Sequence, residues 1–255
     1  MIGTIMEYLV LRSGRSNYVY RTIFQLFRGK LRHRKLRVDM NTQSLRCFNP
    51  NLPFKVTYRH LPHWEQDGVC AFVTLRLGDS VPTSVHQSYR RLREHWCRQR
   101  GMKEETSTTE LLLHCADSER RRFQRLGSSL YQDALDKGAG ECVFRDPAVR
   151  ECLLDTLEVG RQNFFSLGAG VIMPNHVHIL IQPNEGESLS KILASIRKVS
   201  ARGINKALGR TGELWQPEPF DHLIRSPGKY RKFCAYIRAN PSRAKLRKGE
   251  YVVWE

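Results

Sequence analysis

No run of apolar residues in this 255-residue chain approaches the ~20 needed to cross a bilayer as a helix, so a helical membrane protein is excluded. Paired cysteines are missing too. Cys47, Cys70, Cys97, Cys115, Cys142, Cys152 and Cys234 are odd in number, scattered and without a CxxC. That pattern excludes a disulfide framework and a closed structural zinc site and fits a reducing cytoplasm. There are no internal repeats, which sets aside solenoids. Residues 4–12 are apolar enough to raise a secretory signal, but the positive charge follows the apolar part and no small-residue cleavage site comes after it. The expectation is a soluble, cytoplasmic protein.

Acidic residues are scarce in particular places. The chain carries 42 Lys and Arg against 25 Asp and Glu, a formal +17. Residues 40–190 hold 18 of each sign and are neutral, whereas 191–248 hold 15 basic against 3 acidic and 1–39 hold 9 against 2. A segment so poor in acids is the electrostatic footprint of polyanion binding. Trp215, Phe220, Tyr230, Phe233 and Tyr236 punctuate it. Such rings can stack on unpaired bases, although Trp215 and Phe220 read first as core anchors.

The most informative stretch present is Val171-Ile172-Met173-Pro174-Asn175-His176-Val177-His178-Ile179-Leu180-Ile181. β-Branched and aliphatic residues predict a strand, and residues two apart on a strand share a face. His176 and His178 therefore project side by side, while Val177 and Ile179 face the core. Two imidazoles at this spacing can share one divalent cation. Two unliganded histidines on a sheet face are the plain alternative.

Around this strand the pattern gives a domain. Cys70–Leu77 reads as a strand ended by Gly78-Asp79-Ser80, and 84–100 and about 117–136 read as helices joined by a polar linker. Asp146-Pro147 opens a helix to about Arg161. Phe164–Met173 and His176–Gln182 are strands joined by a Pro174-Asn175 turn, with Gly168 and Gly170 inside the first. Ser188 caps a helix to about Leu208 whose basic face carries Lys191, Arg197, Lys198, Arg202 and Lys206. Phe220–Arg225 is a strand, and a last helix from about Gly228 should stop at Asn240, before Pro241. The order β-α-β-β-α-β predicts an α+β, ferredoxin-like antiparallel sheet with helices on one face, and a further helix. Residues 1–39, with the basic run from Arg28 to Arg37, read as an extension outside the core, or as residues ahead of a start at Met40.

The last helix adds two groups of interest. Tyr236 and Asn240 are four apart and share a helix face. Two imidazoles and an amide oxygen, with open positions left, suit Mg²⁺ or Mn²⁺. At this point a resemblance is plain. Val171–Ile181 resembles the histidine-hydrophobic-histidine motif of single-tyrosine HUH transposases. Tyr236–Ala244 is similar to the nucleophile helix of the REP-associated tyrosine transposases (RAYTs). Trp215-Gln216 with Phe220–Arg225 resembles their connecting block, and Leu61–Trp64 with Phe72–Leu77 their opening strand. The resemblance covers about residues 58–254, a single domain with the HUH endonuclease fold. It departs from the family in the extension 1–39 and in a helical insert at about 84–140, and neither is expected to touch the catalytic blocks.

The resemblance implies a metal-dependent single-stranded DNA endonuclease and transposase acting on hairpin or palindromic repeat DNA. His176, His178 and Asn240 would hold Mg²⁺ or Mn²⁺, and Tyr236 would attack the phosphorus and carry a 5′-phosphotyrosine. The base that would take the Tyr236 proton stays open, with His222 and a metal-bound water as candidates. Arg197, Lys198, Arg202, Lys206, Arg225 and Arg238 are candidates for phosphate contacts. A homodimer, with Tyr236 serving its own site or a partner's, stays open. Two alternatives remain. A nucleotide hydrolase using phosphohistidine chemistry usually has a third alternating histidine, and position 180 is Leu. A non-catalytic nucleic-acid-binding module with a ferredoxin-like sheet needs none of the four site residues together.

Overall fold

A computed structural model describes residues 43–58 and 62–255, together with Leu36, Val38 and Met40. The centre is a five-stranded, wholly antiparallel sheet. It is built from β3 (Ala71–Arg76), β4 (Phe165–Ile172), β5 (His176–Pro183), β6 (Phe220–Leu223) and β7 (Val252–Trp254) in the order β6-β3-β5-β4-β7. A two-stranded hairpin of β1 (Lys55–Tyr58) and β2 (Pro62–Glu65) lies beside it. The first four sheet positions place the fourth, first, third and second core strands side by side, as the ferredoxin-like reading requires.

Strand alternation divides the sheet into two apolar faces. Val73, Leu75, Val177, Ile179 and Ile181 point to one, where α4 (Pro147–Asn163) and α5 (Leu189–Ala207) cover them with Leu153, Leu157, Ile192, Leu193 and Ile196. Both helices begin on the caps read from the sequence. Asp146 accepts from the Ala148 N–H at 2.8 Å, and Ser188 from that of Lys191 at 3.4 Å. The opposite face, with Phe72, Val171 and Leu180, is covered by α6 (Pro227–Arg243) through Tyr230 and Ile237. The further helix of the sequence reading thus packs on the face that bears the histidines, opposite α4 and α5.

Pro241 does not stop α6, which runs on to Arg243. Its missing N–H removes one bond in the final turn only. The helix then closes through Ala244 N–H to the Asn240 carbonyl, 3.0 Å, and Leu246 N–H to the Pro241 carbonyl, 2.9 Å. Asn240 therefore lies inside the helix rather than at its end.

The insert folds into α1 (Thr83–Arg98), α2 (Thr108–Leu113) and α3 (Asp117–Asp136), packed on one another through Trp96, Cys97, Leu111 and Phe123. The short α2 overlaps the polar linker read over Lys103–Thr109 only at Thr108 and Thr109 and otherwise lies in residues the sequence left unassigned. Residues 1–35, with most of the basic run, lie outside the described residues. Leu36 and Val38 are half-buried against the first core, and the buried Met40 donates its N–H to the Leu167 carbonyl at 3.2 Å. Packing therefore reaches back past the proposed boundary at residue 39.

Candidate functional site

β5 carries His176 and His178 on the α6 face, both fully buried, with ring centroids 4.7 Å apart. Thr74 and Arg76 stand opposite them on β3, in register with His178 and His176. The hydrogen bonds define where the lone pairs are. Asn175 donates its amide to the Ala139 carbonyl at 2.9 Å, so its Oδ1 accepts from His176 Nδ1 at 2.7 Å. The His176 Nε2 lone pair is then buried without a partner. His178 Nδ1 lies 2.9 Å from Thr74 Oγ1, leaving its Nε2 to accept from the Tyr236 hydroxyl at 3.4 Å. Burial pushes the His176 imidazolium down to about 3. Burial, with His176 and Arg76 adding to it, holds His178 well below its usual value. Both rings are neutral at pH 7, the form that binds metals.

Tyr236 is half-buried on α6 of the same chain, its ring 5.2 Å from that of His178. Burial raises its phenol pKa, while the nearby Asn240 side chain and then Arg243 and Arg76 pull it down. Asn240, one turn on, is 1% exposed, and neither its Oδ1 nor its Nδ2 has a hydrogen-bond partner. A buried amide with both polar atoms orphaned is costly unless a ligand completes it. Among the described residues no three His, Cys, Asp or Glu side chains cluster as metal ligands. The donors on offer here are two imidazole nitrogens and one amide oxygen. They fit a divalent cation with open positions.

The other sequence candidates are dispersed. His222 is exposed on β6 beside Phe233, with the stacked Phe72 and Phe233 rings occupying this part of the face. No contact of His222 with Tyr236 is present among the described residues. Arg197 is engaged with the Gln216 carbonyl at 3.0 Å and that of Pro217 at 2.5 Å, tying α5 to the connecting block. Lys198, Arg202 and Lys206 are exposed on α5, which covers the sheet face away from the histidines. Arg225 lies over the Phe48 and Trp64 rings, and Arg238 on α6 pairs with Glu255.

The insert, expected to stay clear of the catalytic blocks, reaches them at three points. The Ala139 and Leu135 carbonyls accept from Asn175, Asp136 lies 3.9 Å from Arg243, and the Tyr131 ring lies under the Arg76 guanidinium at 5.3 Å. The guanidinium of Arg243 in turn sits 5.5 Å from the Tyr236 ring centroid. Sequence reasoning missed Thr74, Arg76, Tyr131 and the orienting role of Asn175. The signal for Thr74, Arg76 and Asn175 was their place on or beside the motif strands; Tyr131, on α3 of the insert, had none.

No curated protein matches the chain. Among solved structures, one described as a REP-associated tyrosine transposase bound to a REP hairpin is similar at 19% identity. The alignment covers 75% of this chain and 76% of that one, with a TM-score of 0.40. Residues 143–240, a segment that contains His176, His178, Tyr236 and Asn240, are similar to the family model described as transposase IS200 like.

Proposed function

We propose that this transposase-like chain cuts and rejoins single-stranded DNA, at hairpin or palindromic repeats, through a covalent bond to Tyr236. The observation that carries the proposal is the approach of the Tyr236 hydroxyl to His178, beside the unpartnered His176 Nε2 and the orphaned Asn240 amide. His176, His178 and Asn240 would hold Mg²⁺ or Mn²⁺. Such an ion would polarise the scissile phosphate and stabilise the leaving oxygen. The Tyr236 oxygen attacks phosphorus, the bond to the 3′ oxygen breaks, and the phenol proton is balanced by the one gained at the freed 3′ hydroxyl. The phosphotyrosine conserves the ester bond for rejoining. Only a neutral ring keeps an Nε2 lone pair to offer a cation: that of His176 is unpartnered, and that of His178 would have to exchange the Tyr236 hydroxyl for the ion. Asn240, Arg243 and Arg76 favour the phenolate against the burial that opposes it.

The test is incubation of the full chain with Mn²⁺ and a panel of single-stranded oligonucleotides that fold into palindromic hairpins. The expected result is an adduct that survives a denaturing gel and is lost in Tyr236→Phe, which keeps the ring and its DNA affinity. An adduct of equal yield in that variant would sink the mechanism. Binding without any adduct would favour the non-catalytic nucleic-acid module instead.

A further inference from the structure

Arg76 is the last residue of β3 and faces His176 across the strand pair. Its neighbours Leu75 and Leu77 point into the first core, so its side chain lies on the site face with Phe72 and Thr74. Its Nε is fully buried without a hydrogen-bond partner. No carboxylate forms an ion pair with it among the described residues, whereas Arg100, Arg161 and Arg243 each have one. Its one aromatic contact is the Tyr131 ring beneath the guanidinium. Arginine cannot shed its proton at any ordinary pH. The side chain is half-buried, and a guanidinium drawn partly out of water beside the site, its buried Nε unpaired, is stabilised by an anion that reaches it there. Asp136, a carboxylate of the insert near this site, pairs with Arg243 instead. The surroundings are neutral imidazoles and two phenols, none of which supplies a negative charge at pH 7.

We propose that Arg76 is a phosphate-binding residue of this site, its planar fork taking the non-bridging oxygens of the DNA phosphodiester beside Tyr236. Tyr131, from the helical insert, is a positioning residue that holds the guanidinium in place. This rests on the strand-cleavage reading above for the identity of the phosphate, not for the existence of an anion site. The insert then has a function that its sequence did not disclose. It completes the site by fixing Arg76 through Tyr131 and His176 through Asn175.

Two arms separate the claims. In the first, the full chain is melted without metal or DNA, in inorganic phosphate and in chloride at equal ionic strength. Wild type should melt higher in phosphate. Arg76→Gln should lose that gain and should melt no lower than wild type in chloride, because no native ion pair is removed. Arg76→Lys, which keeps the charge, should retain part of the gain. A phosphate response that survives in Arg76→Gln, or a collapse of that variant in chloride, would overturn the proposal. In the second arm, adduct formation with Mn²⁺ should slow by about 10²–10³-fold in Arg76→Gln, the loss typical of one charge-stabilising donor. It should slow by about tenfold in Tyr131→Ala and stay near wild type in Tyr131→Phe, which keeps the aromatic face. Adduct formation at the wild-type rate in Arg76→Gln would remove Arg76 from the reaction while leaving the Tyr236 reading intact. Loss of the phosphate response in Arg76→Gln, with no adduct in any form of the chain, would keep the anion site and discard strand cleavage.

Discussion

Asn175 shows how one side chain can fix the state of another. Its amide hydrogens are held by carbonyls at the end of the insert, so its oxygen can only accept, and His176 must carry its proton on Nδ1. In the sequence Asn175 reads as a turn residue, because its second partner lies 36 positions away and no local pattern reports it. His176, His178, Tyr236 and Asn240 were legible for the opposite reason, since their relation is one of period along a strand or helix. His63 is a third kind of case. It sits between Asp221 and Glu218, the latter 2.6 Å from its Nε2, and so ties the β1–β2 hairpin to β6. The hydrogen bond to Asp221 is the main reason its pKa is raised, with burial opposing and Glu218 adding. A raised histidine pKa gives stability that is complete below the unfolded value of about 6.5 and is lost as pH climbs through the native one. His63→Gln should therefore cost about 1–2 kcal/mol at pH 6, with the gap from wild type narrowing as pH rises above that window. Melting curves across pH 6–9.5 check this, and a gap that does not change with pH would mean the pair is not ionic.

At the scale of elements, the starts of α4 and α5 were predictable because the Asp146 and Ser188 caps are local, and the central strands because they are long and apolar; the end of α6 was not, because Pro241 is accommodated in its last turn. The short strands β1, β2 and β7 were not, since three or four edge residues carry too little alternation to read. Yet β7 explains a feature that was visible. Gly170 within β4 has no local purpose until Trp254 is placed against it, and Gly168 makes room for Met40 and the Tyr230 hydroxyl. A Cβ on Gly170 would lie 2.0 Å from the Trp254 ring, and the Trp254 indole N–H donates to the Gly168 carbonyl at 3.0 Å. Glycine here allows close approach of an aromatic rather than an unusual backbone angle. Gly170→Ala should destabilise the chain by at least ~1–3 kcal/mol, the usual cost of overpacking. Chemical denaturation of that variant, alone and with Trp254→Leu, checks the cause. If removing the indole recovered none of the loss, the clash would not be its source.

For the whole molecule, charge was legible in amount and misleading in direction. The net +12 of residues 191–248 is one block in sequence, but the fold splits it between two sides of a sheet. α6 brings Arg238 and Arg243 to the histidine side, while α5 carries Lys198, Arg202 and Lys206 on its exposed side, across the sheet from the site. Helix periodicity alone shows that these three share a surface; only the packing of Ile192, Leu193 and Ile196 shows which way that surface looks. DNA held at Tyr236 should then owe little to them. Replacing Lys198, Arg202 and Lys206 together by Gln should leave adduct formation at saturating DNA unchanged, and the slope of log affinity against log salt close to that of wild type. Each phosphate contact to single-stranded DNA contributes about 0.7 to that slope, so loss of all three contacts would flatten it by about 2. A flattening of that size would mean that the DNA wraps around the edge of the sheet and that both basic faces bind one strand.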